Sequence, residues 1–419
     1  STLLGGGRTY QQPQQLEGSL CSLYRNVDGK RFEDVSAKAG AHVTEKEGTG
    51  EKARVRNVGK SLGVIACDPD ADGWPDLFVA NDTVRNFFFH NQPTTMQTFP
   101  LSTRHLRVLA DTVTPVGLYL RLRDRYPNCL LLESSDYHGQ QNAFSYLAFD
   151  PLARFEVRGQ ELTLTLPDDT VQTETLTDRH QALARLREFA ASFQTEDTGH
   201  DFITGGLFGY LGYEAVQHFE DLTLNSQKQP AGQIPDILYS TYRYVIAVNH
   251  FRNELFVFEH TLTGEEVDES GLTRLVNLIR NPSLPDFKFQ TVGEEQTNQT
   301  DEEFLAVLAQ GQQHCRRGNV FQIVLSRRFQ QGFSGDEFNV YRALRSINPS
   351  PYLFYFDYGS FKIFGSSPET QLLIKGRQAS LFPIAGTFRR TGHDAEDAAL
   401  AQKLADDPKE NAEHVMLVD

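Results

Sequence analysis

At 419 residues, with 39% hydrophobic and 23% charged residues, the chain has ordinary globular proportions and length enough for two or three domains with sizeable cores. Residues 1–95 carry 11 Lys+Arg against 12 Asp+Glu, which leaves about −14 of the net −15 on the remainder and argues against nucleic acid as its partner. No run approaches a membrane span, and Cys21, Cys67, Cys129 and Cys315 form no C-x-x-C pair, so no membrane anchor, disulfide framework or zinc site is expected and a reducing, cytoplasmic setting fits best. Ser1 is not an initiator, so any signal peptide belonging to the first part would lie outside this sequence.

The segment Leu62–Ala80, LGVIACDPDADGWPDLFVA, places Asp68, Asp70, Asp72 and Asp76 on a turn between two short apolar runs. Such spacing suits calcium, because a hard cation wants six to eight oxygens on a tightly curved loop and Gly73 supplies the turn. An EF-hand would need Glu where Val79 stands, and the flanks read as strands; a solvated Asp-rich turn is the alternative. Leu23-Tyr24-Arg25-Asn26 is echoed by Phe88-Phe89-His90-Asn91 at a spacing of 65. The pattern resembles FG-GAP or VCBS repeats of ASPIC/UnbV-associated propellers, proteins that are typically exported, with roughly one and a half repeats present where at least three usually share a core. The second copy breaks off at QPTTMQTF, so the boundary near Met96 reads as a chimeric junction.

Beyond Met96 the pattern changes to mixed strands and helices. Tyr239–Glu259 predicts two strands around the turn-like NHFRNE, and Asp301–Arg317 predicts a helix with Phe304, Val307, Leu308 and His314 on related faces. Dominant non-local strand pairing with helices outside gives an α+β class. Near the end, Asp407 is a good helix N-cap and Pro408 a good first residue, so Glu410 and Glu413 would share one helical face and repel unless a cation relieves them. Glu410 also suits a capping-box partner of Asp407.

The ordered runs DTVTPVGLYLRL, LLLESSD, GGLFGYLGYEAV, GNVFQIVLSRRF, NPSPYLFYFDYG, FGSSPETQL, PIAGTFRRTG and DPKENAEHVMLVD resemble anthranilate synthase component I, a chorismate-binding enzyme, over residues 96–419. The resemblance implies an antiparallel-sheet sandwich with flanking helices, an N-terminal region over 96–285, and a catalytic domain beginning at 286 and present only in part. It implies amination of chorismate at C2 with loss of the C4 hydroxyl, then elimination of pyruvate. Ammonia would come from a glutamine amidotransferase subunit, since the chain carries no G-x-C-x-G elbow.

By the same resemblance, Glu413 is a magnesium ligand, Glu410 borders the substrate carboxylate, and Gly386 and Thr387 form a substrate-binding turn. Glu369 is the general acid, a role that burial would favour by raising its pKa; the alternative is a loop carboxylate at a strand end. Arg389 and Arg390 add positive charge or stand as a solvated pair. Gln322 occupies the place of the lysine base of water-adding relatives, and Ala385 that of the adduct-forming lysine of aminodeoxychorismate synthases, the competing enzyme reading. Glu133, Ser134, Asn348, Pro349, Pro351, Tyr352 and Leu353 match a site for tryptophan as inhibitor; otherwise LLES is a core strand and NPSPY a turn. The family continues past MLVD, so the chain is expected to be truncated, without part of the active site, and inactive by itself. A calcium-binding repeat protein joined by assembly error is the reading from another class.

Overall fold

On either side of NHFRNE the runs Tyr244–Val248 and Leu255–Phe258 are continuously hydrophobic, as strands covered on both faces require. The computed structural model of the chain describes residues 97–134, 143–178, 180–224, 234–370 and 372–418, with seven strands before them by backbone alone. Two compact units divide at Gln97/Thr98.

In the first unit β1 (Tyr24–Asn26) pairs with β2 (Phe32–Asp34), β3 (Thr44–Glu47) with β4 (Arg54–Asn57), and β5 (Ser61–Cys67), β6 (Asp76–Asn81) and β7 (Phe87–Phe89) form a third small sheet, all antiparallel. Strands thus flank the acidic turn, as expected. Asp68, Asp70 and Asp72 lie outside the described residues, and Asp76 opens β6. The propeller and calcium readings therefore rest on the motif alone.

The second unit is built on one large sheet in the order β13 (Phe193–Thr195), β8 (Phe99–Leu109), β16 (Glu254–Leu262), β15 (Ile237–Asn249), β10 (Phe144–Arg158), β9 (Leu130–Ser134), β19 (Tyr352–Asp357), β20 (Lys362–Ser367). Only the β13–β8 pairing is parallel. The two longest strands, β10 and β15, pair along most of their length and slip register between Pro151 and Ala153, because proline has no N–H for the ladder. The hairpin β11 (Glu161–Thr165) and β12 (Val171–Thr175) extends β10, and β14 (Leu207–Leu211) pairs with β15 ahead of a short 3-10 helix, Tyr213–His218.

Three helices cover one face: α1 (Pro115–Leu122), α3 (Gly271–Ile279) and α5 (Phe338–Ile347). Their Leu118, Tyr119, Leu275, Ile279, Phe338 and Tyr341 meet Leu131, Phe149, Ile246 and Val257 of the sheet in a core almost free of solvent. Burying each such side chain stabilises the fold by about 1.5–3 kcal/mol. Thr114 starts α1 by accepting the Gly117 N–H, with Pro115 at the first turn. A second cluster on the opposite face joins Leu238, Val245, Phe256, Phe258 and Phe356. Helix α2 (Gln181–Ala191) buries Phe189, which packs on Phe155 and Phe193.

Residues 286–418 pack differently. A two-stranded sheet, β17 (Phe289–Thr297) and β18 (Phe329–Gly335), brackets α4 (Asp301–Arg316), which Thr300 and Glu303 start with a complete capping box. Helix α4 buries only Gly311, which sits against Leu325. The hairpin β21 (Leu373–Lys375) and β22 (Gln378–Ser380) and the helices α6 (Asp394–Asp406) and α7 (Pro408–Val418) follow, and neither helix buries a residue among those described. The expected mixed α+β class with mainly antiparallel sheets holds, and no sheet closes into a barrel among the described residues.

Candidate active site

The segments LLES and NPSPYLF, 214 residues apart from Ser134 to Asn348, meet as adjacent antiparallel strands: Ser134 stands opposite Tyr352 and Glu133 opposite Leu353. Because successive side chains alternate across a sheet, the matched residues divide between two faces. Glu133 and Leu353 point into the helix-side core; there the Glu133 carboxylate, fully buried, accepts from Tyr341 Oη at 2.7 Å and from Arg345 Nε at 3.1 Å. Leu353 is thus a packed core residue, 2% exposed. Ser134 and half-exposed Tyr352 share the opposite face. The Ser134 N–H donates to Ser145 Oγ, which also bonds His250 Nε2 at 2.7 Å. Burial and the charge of Arg345 hold His250 below its ordinary pKa.

Asn348 caps α5, its carbonyl accepting from Ser366 Oγ of β20 at 2.6 Å, with Pro349 exposed and Pro351 half-buried beside it. One residue further along, Ser367 Oγ accepts the Glu369 N–H at 3.3 Å, so the loop after β20 holds Glu369 immediately beyond the shared strand. The Glu369 side chain is exposed, where burial was expected. Gln322, in the extended segment between α4 and β18, is also exposed.

At the C-terminal end two matched motifs touch. The Glu410 carboxylate lies against Gly386, its Oε2 filling the space a side chain at that position would take, so the PIAGT turn sits directly on the Glu410 side chain. Asp407 Oδ1 accepts the N–H groups of Lys409 and Glu410, at 2.9 and 3.2 Å, and starts α7 as expected. The Asp407 N–H goes to Leu404 O, so Glu410 is not the reciprocal arm of a capping box; its carboxylate faces Gly386 and Lys409 Nζ, 3.7 Å away. Glu413 follows one turn later, half-buried, and Thr387 is exposed. Arg390 is solvent-exposed, as the solvated alternative expects, and pairs with Asp397 of α6 at 3.0 Å. No group of three His, Cys, Asp or Glu residues forms a ready metal cage among the described residues.

Residues 127–419 match the model of the chorismate binding enzymes. The chain belongs to that family. Anthranilate synthase component 1 of Lactococcus lactis is 30% identical over 318 residues, covering 74% of this chain and 67% of the relative. The Synechocystis and Thermus thermophilus proteins of the same name are 34% and 35% identical, each covering 74% of this chain and 65% of the relative. The crystal structure of anthranilate synthase component I from Streptococcus pneumoniae is similar with a TM-score of 0.52 at 26% identity, over 74% of this chain and 66% of that one. This chain thus spans about two thirds of the length of the curated relatives it matches. The family match lies within the second unit and lends the repeat reading of residues 1–95 no support.

Several pairings that organise this chorismate-binding fold could not be read from the motifs. Arg123 forms a two-pronged pair with Asp336, at 2.9 and 2.7 Å, and its guanidinium lies over the rings of Tyr119 and Phe338. Burial pushes Asp336 up, but the hydrogen bonds and charge of Arg123 outweigh it and the carboxyl titrates below its ordinary value. Lys362 bridges Glu337 and Asp357, at 3.1 and 3.7 Å, and Tyr119 Oη donates to Asp357. Tyr341 and Arg345, the partners of Glu133, stand four apart on α5, a spacing that signals a shared face.

Proposed function

We propose that this chain is the chorismate-binding core of an anthranilate synthase component 1, a lyase of tryptophan biosynthesis. Within that reading residues 96–285 form the N-terminal region and 286–419 the first part of the catalytic domain. The observation that carries it is the seating of Gly386 on the Glu410 carboxylate, which puts the matched substrate turn against the matched carboxylate helix. Chorismate and ammonia give anthranilate, pyruvate and water: ammonia bonds C2, the C4 hydroxyl leaves with a proton, and the enolpyruvyl side chain then departs as pyruvate. Glu369 supplies the proton to the departing hydroxyl, and Thr387 and the N–H groups of its turn orient the ring carboxylate.

Glu413 offers the hard oxygen that magnesium prefers, and an ion bound there would neutralise carboxylate charge of the substrate beside Glu410. Gln322, which cannot act as a base, and Ala385, which cannot form an adduct, favour amination at C2 over water addition or aminodeoxychorismate formation. Ammonia is delivered by a glutamine amidotransferase subunit, anthranilate synthase component II.

The test completes the chain over the third of its relatives' length that it does not span, then supplies chorismate, magnesium and ammonium. Fluorescent anthranilate and pyruvate should appear in equal amounts. Isochorismate, or aminodeoxychorismate without pyruvate, would exclude this reading. Tryptophan should inhibit the same enzyme through the face carrying Ser134 and Tyr352. There Ser134→Leu should raise the half-inhibitory concentration about tenfold or more while leaving uninhibited turnover intact, because an inhibitor acts only through its differential affinity; an unchanged curve would make LLES and NPSPY purely structural.

A further inference from the structure

The segment from Gly386 to Thr391 is not buried, yet α6 and α7 hold it at three points. At its start the Glu410 side chain of α7 lies against Gly386. In its middle the Phe388 ring faces Lys403 Nζ of α6, 5.9 Å from the ring centroid. At its end one carboxylate collects three donors: Asp397 Oδ1 accepts the Thr391 N–H at 2.7 Å and the Thr391 hydroxyl at 3.0 Å, and Oδ2 accepts Arg390 Nε at 3.0 Å. The Asp397 side chain is 10% exposed and that of Arg390 81%, so the acid is the anchored member of the pair. Hydrogen bonds to an ionised acceptor are about twice as strong as neutral ones. The Thr391 N–H holds the Asp397 carboxyl below its ordinary pKa, which keeps it ionised at neutral pH.

Helix α6 is itself tied to α7. Asn411 Nδ2 of α7 donates to Ala405 O of α6 at 2.6 Å, and the Asp407 N–H between the helices donates to Leu404 O. The contacts therefore close a ring, from Thr391 through Asp397 and α6 to α7 and Glu410, and back to Gly386. Acidic residues in a first helical turn ordinarily serve the helix dipole. Asp394 and Glu396 carry that charge in the same turn, and His393 makes no side-chain cap bond. Asp397 differs from both in what its oxygens do: they reach back to the segment before the helix.

We infer that Asp397 is a positioning residue for the substrate: by holding Arg390 and Thr391 it keeps the turn at Gly386 and Thr387 seated on α7. Asp397 acts through that turn and touches no substrate itself. The inference rests on the function proposed above, which gives Thr387 and Glu410 to the substrate carboxylate. Such a role has measurable weight, because a binding group misplaced by about 1 Å can cost as much as about 10²-fold, and an exposed turn has no packing of its own to hold it.

Trypsin acting on the 419-residue chain reads the clamp without any chemistry. Asp397→Ala should speed cleavage after exposed Arg389 about tenfold at unchanged circular dichroism, and Asp397→Asn, which keeps the Oδ1 acceptor, should stay within about threefold of the parent. In the completed enzyme Asp397→Ala should raise the KM for chorismate about tenfold and change kcat by less than about threefold, since Glu369 stands on the separate loop after β20. Asp397→Asn should bring KM back to within about threefold of the parent, and Asp394→Ala, which removes the same charge from the same turn, should leave it unchanged. A merely structural role would lower the active fraction, and with it kcat, at constant KM. Unchanged cleavage in Asp397→Ala, a loss of kcat at unchanged KM, or an equal rise of KM in Asp394→Ala would each overturn the assignment. A completed parent that makes no anthranilate would instead sink the proposed reaction, and the cleavage rates would still decide whether Asp397 holds the turn.

Discussion

Residues 98–285 and 286–418 sit in one unit yet are stabilised in different ways. The first region buries whole strands, with Leu147, Phe149, Val245, Ile246, Val257 and Phe258 all at 0% exposure. The second attaches to that sheet through β19, β20 and α5, while α6 and α7 bury nothing among the described residues and Phe321 and Val324 stand 91% and 86% exposed. The matched catalytic and metal-binding residues all belong to the second region. Under the proposed roles stability and chemistry are housed apart, and substitutions should separate them.

The sharpest separation is kinetic. In the completed enzyme Glu369→Gln should lower kcat by about 10²–10⁴-fold, the ordinary worth of a positioned proton donor. Its KM should change little, and its unfolding free energy should stay within about 0.5 kcal/mol, since the side chain is exposed. Glu413→Gln should be equally inactive and should differ by a weaker dependence on magnesium. An equal loss of chorismate binding in both variants would remove the assigned difference in roles.

Phe258→Ala should do the reverse, costing about 3–5 kcal/mol in urea unfolding through the cavity it leaves in the sheet face. A loss below about 1 kcal/mol would break the contrast between the two regions. Arg123→Ala should cost about 3 kcal/mol, because Asp336 is left as a buried charge without its partner. The same pair predicts acid lability. Asp336 titrates below 3.8 when folded, so its contribution is complete above that pH and is lost as pH falls through the lowered value. Unfolding monitored from pH 5 down to pH 2 should show this loss in the parent and not in Arg123→Ala. The smallest effect belongs to Asp407→Ala, about 1 kcal/mol, detected as faster amide exchange at Lys409 and Glu410, whose N–H groups it accepts.

Local signals were legible in the sequence wherever local chemistry decides the structure. The hairpin of β15 and β16 shows as a long apolar run broken by NHFRNE, and α7 shows in Asp407-Pro408. The period of α4 was also readable, but its apolar face is largely exposed, since period reveals a face and not what covers it. The parallel pairing of β13 with β8, the bond from Arg345 to Glu133, and the pair Arg123–Asp336 link residues about 90 to more than 200 positions apart, and no window of sequence contains them. Of the candidate site, the motifs name Gly386 and Glu410 but only the fold brings them together, and the division of Glu133 and Ser134 between opposite faces needs the register with Tyr352 and Leu353. The pairing of Arg390 with Asp397 shows how a surface arginine that reads as solvated can find an acid in the first turn of the next helix.

The sheet also sets a timetable for synthesis. Strand β8 begins the second unit, yet its antiparallel partner β16 lies about 150 residues later, with Leu101 opposite Leu262 and Leu109 opposite Glu254. At roughly 5–20 residues per second on a ribosome, β8 waits about 8–30 s for β16, with only the three-residue parallel strand β13 available to it earlier. Strand β9 waits longer still for β19. Such non-local closure slows folding and leaves strand edges open meanwhile. The early hairpin of β10 and β11, whose partners are neighbours in sequence, is the natural first template, and β8 closes its side of the sheet only after β16 has arrived.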